Sequence, residues 1–332
     1  MHALGLMLVV TQEQGRAATL RRLLEAAIVR QPADGILLSA GLDTSAIAAL
    51  ACAAGLRPMS VTVCWDDTAP DLDYARELAA RLGLTHHVVW ANAEVLLASM
   101  PAVIGVLGSF DPMELRNSAV QYLGLQALAE RGCGSAYVGD AADELFAGYS
   151  YMTSMTVEAL DAYTRELASF MRFSAEPLGQ ALGVHVESPY LDPAIVEFAV
   201  ELDPQAKVGV RDGERHGKWV LRRAVEDLLP ERFVWRTKTP AEMGSGSTRL
   251  ADVALARLDE SEFTALRADA ERDGVRLRDR EQAFYYRMYR QEFGPPSDQL
   301  GAVRCPDCRG ALRDARSRYC GVCGAYPVDV AP

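Results

Sequence analysis

Residues 35–45, Gly35-Ile-Leu-Leu-Ser-Ala-Gly-Leu-Asp-Thr-Ser45, decide the fold. Ile36, Leu37 and Leu38 form a short continuous apolar run of the kind that fills a buried strand. A tight turn follows, and an alanine-rich segment over about 44–54 reads as a helix. A helix that opens directly after a buried strand presents free N–H groups and a partial positive charge, which together make an anion site. Gly41 lets the backbone approach a phosphate, and Ser39, Thr44 and Ser45 add hydroxyl donors. Asp43 would repel a bare anion but suits a magnesium ion carried by that anion. No Gly-Lys-Ser/Thr follows, which separates this turn from the other common phosphate loop. The plain alternative is an N-capped turn in any α/β protein.

Outward from this turn, residues 59–65 and 86–90 read as strands, with an amphipathic helix over 71–82 between them. A long helix over 113–130 precedes a fourth strand over 135–138. Strands alternating with helices predict an α/β fold with a parallel sheet covered on both faces. After about Gly148 the pattern is mostly helical to Phe293. Residues 1–30 read as an apolar arm, strand-like or packed on the core, followed by a helix over 16–29. Gly294-Pro-Pro-Ser-Asp-Gln299 reads as a linker. The expected organisation is an arm and helix over 1–30, a main domain over 31–294 and a small module over 300–332.

The 332 residues are long enough for one large core and one small addition. A net charge of -11 argues against a general nucleic-acid binder. No run of eighteen apolar residues occurs, so no membrane span is expected. Leu4–Val10 lacks a preceding basic region, which disfavours a signal peptide and points to a cytoplasmic protein with reduced thiols. Four of the seven cysteines crowd the tail as Cys305-Pro-Asp-Cys308 and Cys320-Gly-Val-Cys323. Two such knuckles, eleven residues apart, fit a tetrahedral four-thiolate zinc site. An iron site and redox cysteines are weaker alternatives.

The second charged motif is Gly139-Asp-Ala-Ala-Asp-Glu-Leu-Phe-Ala-Gly-Tyr149. If a helix starts there, Asp140 shares a face with Asp143 and Glu144. Three such carboxylates repel one another unless a cation or proton compensates. A solvated first turn, favoured by the helix dipole, is the bland alternative.

These two motifs resemble the synthetase half of the asparagine synthetase family, whose loop reads Ser-Gly-Gly-Leu-Asp-Ser-Ser and whose acidic segment reads Gly-Glu-Gly-Ala-Asp-Glu-Leu-Phe-Gly-Gly-Tyr. The resemblance covers roughly residues 16–293. It implies an adenine-nucleotide hydrolase-like sheet and binding of the β- and γ-phosphates of ATP on Ser39, Gly41, Leu42, Asp43, Thr44 and Ser45, beside Gly139. It implies magnesium on Asp43 and Asp143, and adenine on the strand ends at Leu38 and Val63. Asp140 falls where the family carries a catalytic glutamate, one methylene longer. Trp235-Arg-Thr-Lys238 matches the family's Arg-x-Lys and makes Lys238 the charge stabiliser. Lys218-Trp-Val-Leu-Arg-Arg matches a second segment, with Lys218 reaching phosphate. Glu187, before Ser188-Pro-Tyr-Leu-Asp192, replaces a family arginine.

The implied activity is adenylation of a small or carrier-bound carboxylate, then transfer of the acyl group to ammonia or an amine. The family's glutaminase domain starts on a nucleophilic second residue, and His2 stands there, so no glutaminase is expected. The zinc ribbon could dock a protein partner or cap the enzyme, and a homodimer is a reasonable assembly. A sulfur-transfer enzyme acting on tRNA or a small molecule through Cys64 or Cys133 is one alternative, and a non-catalytic ATP-binding module is another.

Overall fold

A computed structural model describes residues 2–298, 301, 303–314 and 316–328, with side chains from residue 12 onward. Leu300, where the expected tail module begins, and Gln299, where the linker ends, lie outside the described residues.

The chain forms two compact units, one holding the residues up to Thr62, Pro70–Val89 and Gly124–Pro240, the other Val63–Ala69, Trp90–Leu123 and the chain from Ala241 on. The first unit holds the sheet apart from the last residues of two strands. Its strands are β1 (Gly35–Leu37), β2 (Met59–Cys64), β3 (His86–Trp90), β4 (Ser135–Tyr137) and β5 (His185–Glu187), in the order β3-β2-β1-β4-β5. β1 runs parallel to both β2 and β4, with Gly35 opposite Met59 on one side and Ala136 on the other. The chain goes from β1 out to β2 and β3, then returns to β4 on the other side. The strand order therefore switches at β1/β4, where open α/β sheets bind ligands at the strands' carboxyl ends. The segments that follow these two neighbouring strands are Ser39–Gly41 and Gly139–Ala141. The topology thus places the two motifs side by side.

Helix α1 (His2–Arg30) and helix α2 (Leu42–Ala53) pack into the same core. Ala46, Ile47, Ala48, Ala49, Leu50 and Ala51 are all buried, so α2 is enclosed on every side. Helix α3 (Leu72–Leu82) buries only the stripe Leu72, Ala75, Leu78 and Ala79, as its spacing predicts.

Two expectations change, and the structure adds elements that the sequence reading left out. The N-terminal arm is helix from His2 rather than strand-like. The second half of the main domain is mostly helical, as expected, but β5 lies in it, and Gly209–Arg211 pairs antiparallel with Glu214–His216. That hairpin turns on Asp212 and Gly213, both at positive φ, the two-residue turn that matches strand twist. Residues 93–107, unassigned from sequence, form α4 (Ala93–Leu107), capped by Asn92. α5 (Pro112–Ala129) then precedes β4, and α6 (Ala142–Phe146) starts two residues beyond Asp140. Asp140 therefore sits in the turn and not on a helix face.

In the second unit Phe110 packs against Tyr286 and Tyr289, each ring centroid 5.1 Å away. Arg116 on α5 joins Glu242 and Glu281 at 2.6 and 2.7 Å, a half-buried triad that ties three helices together. Among the described residues no single helix is long and apolar enough to cross a membrane; α4 and α5 pass that test only as a pair bent by 106°.

Candidate active site

The N-terminus of α2 is open. Its N-cap is Gly41, which has no side-chain cap, so the first-turn N–H groups of α2 have no intrahelical acceptor. Ser39 Oγ lies 3.2 Å from Thr44 Oγ1 and accepts a 3.3 Å bond from Gly41 N–H. Ser45 Oγ and Asp43 Oδ1 are buried without a hydrogen-bond partner, a costly state unless a ligand completes them.

Across the switch point, Asp143 in the first turn of α6 faces Asp43. Lys218 Nζ lies 2.6 Å from Asp43 Oδ2 and 2.6 Å from Asp143 Oδ1, while Lys238 Nζ lies 2.7 Å from Asp143 Oδ2. Asp143 Oδ1 makes its contact as an ion pair, outside hydrogen-bond geometry. Burial pushes the Asp143 carboxyl up, but Lys218 and Lys238 outweigh it and pull it down to about 2. Burial wins at Asp43, which rises above the usual carboxylate range despite Lys218. Burial also works against the charge of Lys238, and Asp143 and Asp43 more than restore it.

Two glycines permit this approach. A Cβ on Gly139 would lie 3.1 Å from both Asp43 Cβ and Thr44 Cγ2, and one on Gly148 would overlap Asp143 and Lys218. The donor set of two buried carboxylates, one with an unpartnered oxygen, fits a hard divalent cation. Asp43 and Asp143 are the residues that would hold it.

The turns themselves are strained. Ala40, Ala141 and Ala147 have φ of 53, 76 and 60°. Each is an alanine where the family motif quoted above has glycine. Left-handed backbone costs an alanine about 1 kcal/mol. Each methyl is buried, which returns part of that cost. At positive φ, Ala40 is the costlier of the two ways an alanine can replace that loop glycine.

Asp140 is half-buried beside these groups. Burial, reinforced by Glu144, Asp143 and Asp43, raises its pKa to about 7. Its backbone carbonyl accepts from Ser188 Oγ at 2.8 Å. A cavity of about 680 Å³ opens beside it, lined by Phe173, Glu176, Glu187, Ser188 and Asp192 among others. Glu187 pairs with His185 Nε2 at 2.9 Å, and Asp192 pairs with Arg30. Tyr149 donates to Glu144 Oε1 at 2.6 Å, which accounts for the third carboxylate of the motif. Leu38 N–H is spent on Val61 O at 2.8 Å, and its carbonyl accepts from Thr62 Oγ1. Of the Leu38 backbone only the carbonyl's second lone pair is therefore left for an adenine. Val63 is a buried residue of β2 in the other unit.

Sequence reasoning passed over Arg236 and Tyr190. Arg236 donates to the carbonyls of Ser39 and Ala40, and Tyr190 OH donates to Asp43 O at 3.0 Å. The Arg-x-Lys segment carried the signal for the first, and the Ser188-Pro-Tyr-Leu-Asp192 segment the signal for the second.

The four tail cysteines converge. Cys305 and Cys323 Sγ are 3.8 Å apart, Cys308 and Cys320 Sγ 3.7 Å, and all four lie within 4.8 Å of one another. A tetrahedral zinc with Zn–S bonds of about 2.3 Å sets its sulfurs about 3.8 Å apart, so the set fits that ion. The second knuckle is built into its own unit: Phe110 N–H donates to Val322 O at 2.7 Å, and Gln282 and Arg278 donate to Cys323 O at 2.7 and 3.1 Å. We expect about one equivalent of zinc per chain by elemental analysis, and its loss in Cys305→Ser together with a lower melting temperature. Full metal retention in that variant would contradict the assignment.

The Asparagine synthase family profile matches residues 18–172 and 165–298. Glutamine-hydrolysing asparagine synthetases from Sandersonia aurantiaca (27% identical, 86% of this chain, 59% of theirs), Asparagus officinalis (26%, 90% and 55%) and Zea mays (28%, 69% and 43%) are similar in sequence. The chain thus spans about half the length of these curated relatives. A solved NMN synthetase from Francisella tularensis aligns over 84% of this chain and 95% of its own at 16% identity, with a TM-score of 0.31, too loose a likeness to argue from. With the profile covering most of the chain, and both of its motifs meeting at the switch point, this protein belongs to the asparagine synthase family.

Proposed function

We propose that this protein adenylates a carboxylate with ATP, releasing pyrophosphate, and passes the acyl group to ammonia or an amine to form an amide. The observation that carries the reading is the meeting of Asp43, Asp143, Lys218 and Lys238 beside the open N-terminus of α2. The loop from Ser39 to Ser45 takes the β- and γ-phosphates through first-turn N–H groups and hydroxyls. A magnesium ion on Asp43 and Asp143 supplies charge neutralisation when bound. Lys238 and Lys218 face the charge that builds on the departing pyrophosphate. The carboxylate oxygen forms its bond to the α-phosphorus while the α–β bridge breaks. The amine then bonds to the acyl carbon, AMP leaves, and the amine's proton passes to Asp140. The cavity beside Asp140 gives the acceptor a way in. A four-thiolate metal site in the tail suits a reducing, cytoplasmic setting.

No observation favours sulfur transfer. Cys64 and Cys133 are both buried, and burial, helped by Asp34, pushes the Cys133 thiol up and away from the reactive thiolate.

The test is to separate the half-reactions. Asp140→Asn is expected to keep acid-dependent exchange of pyrophosphate into ATP within about threefold and to lose amide formation by about 10²–10³-fold. Loss of both together would remove Asp140 from the second step. In the wild type the transfer step should rise as pH climbs toward 7 and Asp140 sheds its proton. A bound cation draws that inflection lower, so about 7 is its upper end.

A further inference from the structure

We propose that Arg236 is the positioning residue that holds the pyrophosphate loop in its anion-binding shape. This rests on the reading of Ser39–Ser45 as the ATP loop and adds a residue that the reading does not use. Arg236 Nη1 donates to Ala40 O at 3.0 Å and Ser39 O at 3.3 Å. These two carbonyls flank the one loop residue at left-handed φ. In a trans peptide the carbonyl and the following N–H point opposite ways, so holding both carbonyls on one side turns the N–H groups of Ala40 and Gly41 to the other, where Gly41 N–H donates to Ser39 Oγ at 3.3 Å.

Arg236 is itself fixed. Its Nη2 lies 2.5 Å from Asp71 Oδ1, and both side chains are 8% exposed. Its guanidinium sits 4.1 Å from the centroid of Tyr74. Both anchors, Asp71 as N-cap and Tyr74 within, belong to α3, so the loop is clamped to a neighbouring helix through one planar cation. Arginine can serve two carbonyls and a carboxylate at once because its donors form a rigid fork, which lysine lacks. The clamp matters more here than it would on a glycine, since alanine resists the φ of 53° that Ala40 adopts. Lys238, two residues on, reaches Asp143. The same segment therefore shapes the phosphate loop with one side chain and meets the acidic site with the other.

The experiment uses the full chain as wild type, Arg236→Gln, Arg236→Lys, Ala40→Gly and Arg236→Gln combined with Ala40→Gly. Calorimetric binding of magnesium-ATP and of magnesium-pyrophosphate is compared with amide hydrogen exchange over residues 39–42 without ligand. We expect Arg236→Gln to weaken both ligands about 10–100-fold and to speed loop exchange, with Arg236→Lys recovering little. Ala40→Gly should restore about tenfold of the binding in the Arg236→Gln background, because glycine removes the strain that the clamp opposes. A merely structural arginine would lower the melting temperature without that rescue. Wild-type binding and exchange in Arg236→Gln, or a loss that Ala40→Gly leaves untouched, would overturn the proposal. Failure of the ATP-loop reading would appear elsewhere, as wild type binding neither ligand.

Discussion

Lys218→Met will melt about 10 °C below the wild type in the absence of magnesium. Lys218 is 3% exposed and lies 2.6 Å from both Asp43 and Asp143. Methionine keeps much of the volume but leaves two buried carboxylates face to face, with only Lys238 nearby. Breaking such a buried pair costs about 3–5 kcal/mol, since the remaining charge stays desolvated. At about 2–4 °C per kcal/mol for a chain of this class, the shift is large. Two signatures separate this from ordinary packing damage. Millimolar magnesium should raise the variant's melting temperature, because a divalent cation between the carboxylates replaces the lost charge. The deficit should also shrink as pH falls. In the wild type the Asp143 carboxyl is held at about 2, below its unfolded value, so its stabilisation is complete above about pH 4 and is lost on the way down to about 2. The variant keeps only the Lys238 share of that contribution, so the difference between the two proteins narrows over the same window. A deficit that ignores both magnesium and pH would mean that Lys218 acts by packing alone.

Asp43→Asn will keep the fold and lose the chemistry. Asparagine is close in shape and removes a buried charge that burial already disfavours, so the melting temperature should stay within a few degrees. Lys218 keeps its contact with Asp143. The orphaned Oδ1 of Asp43, however, is the oxygen best placed for a cation, and an amide is a far weaker ligand for magnesium. We expect pyrophosphate release to fall by about 10³-fold, measured under saturating ATP and raised magnesium. A loss of less than tenfold would move the cation to other groups.

Much of this site was legible because its chemistry sits on strand–turn–helix signals. Ile36–Leu38, then Ser39–Ser45, reads as a strand feeding a helix in any context, and the residue types name a phosphate. The acidic segment after β4 reads the same way. Their adjacency was not written locally; it follows from β1 and β4 pairing in parallel across 100 residues. Lys218 and Lys238 were named through the family pattern, yet sequence gave no sign that both would converge on Asp143. β5 was missed because His185-Val-Glu187 is three residues long with two polar side chains, and only its place at the sheet edge makes it a strand. The hairpin at Asp212-Gly213 carried a readable turn signal. The three left-handed alanines carried none, because propensity assigns such positions to glycine. The start of α6 moved because Ala141 breaks the helical run at φ 76°, which lifts Asp140 off the helix.

The most direct measurement is the fate of carboxylate oxygen. The protein would be incubated with magnesium-ATP, ammonium or n-butylamine, and a panel of ¹⁸O-labelled carboxylic acids, and the products read by mass spectrometry. Acyl-adenylate chemistry predicts that one acid yields pyrophosphate and AMP carrying one ¹⁸O, with none formed by Asp43→Asn. ADP with inorganic phosphate, or AMP without label, would contradict it.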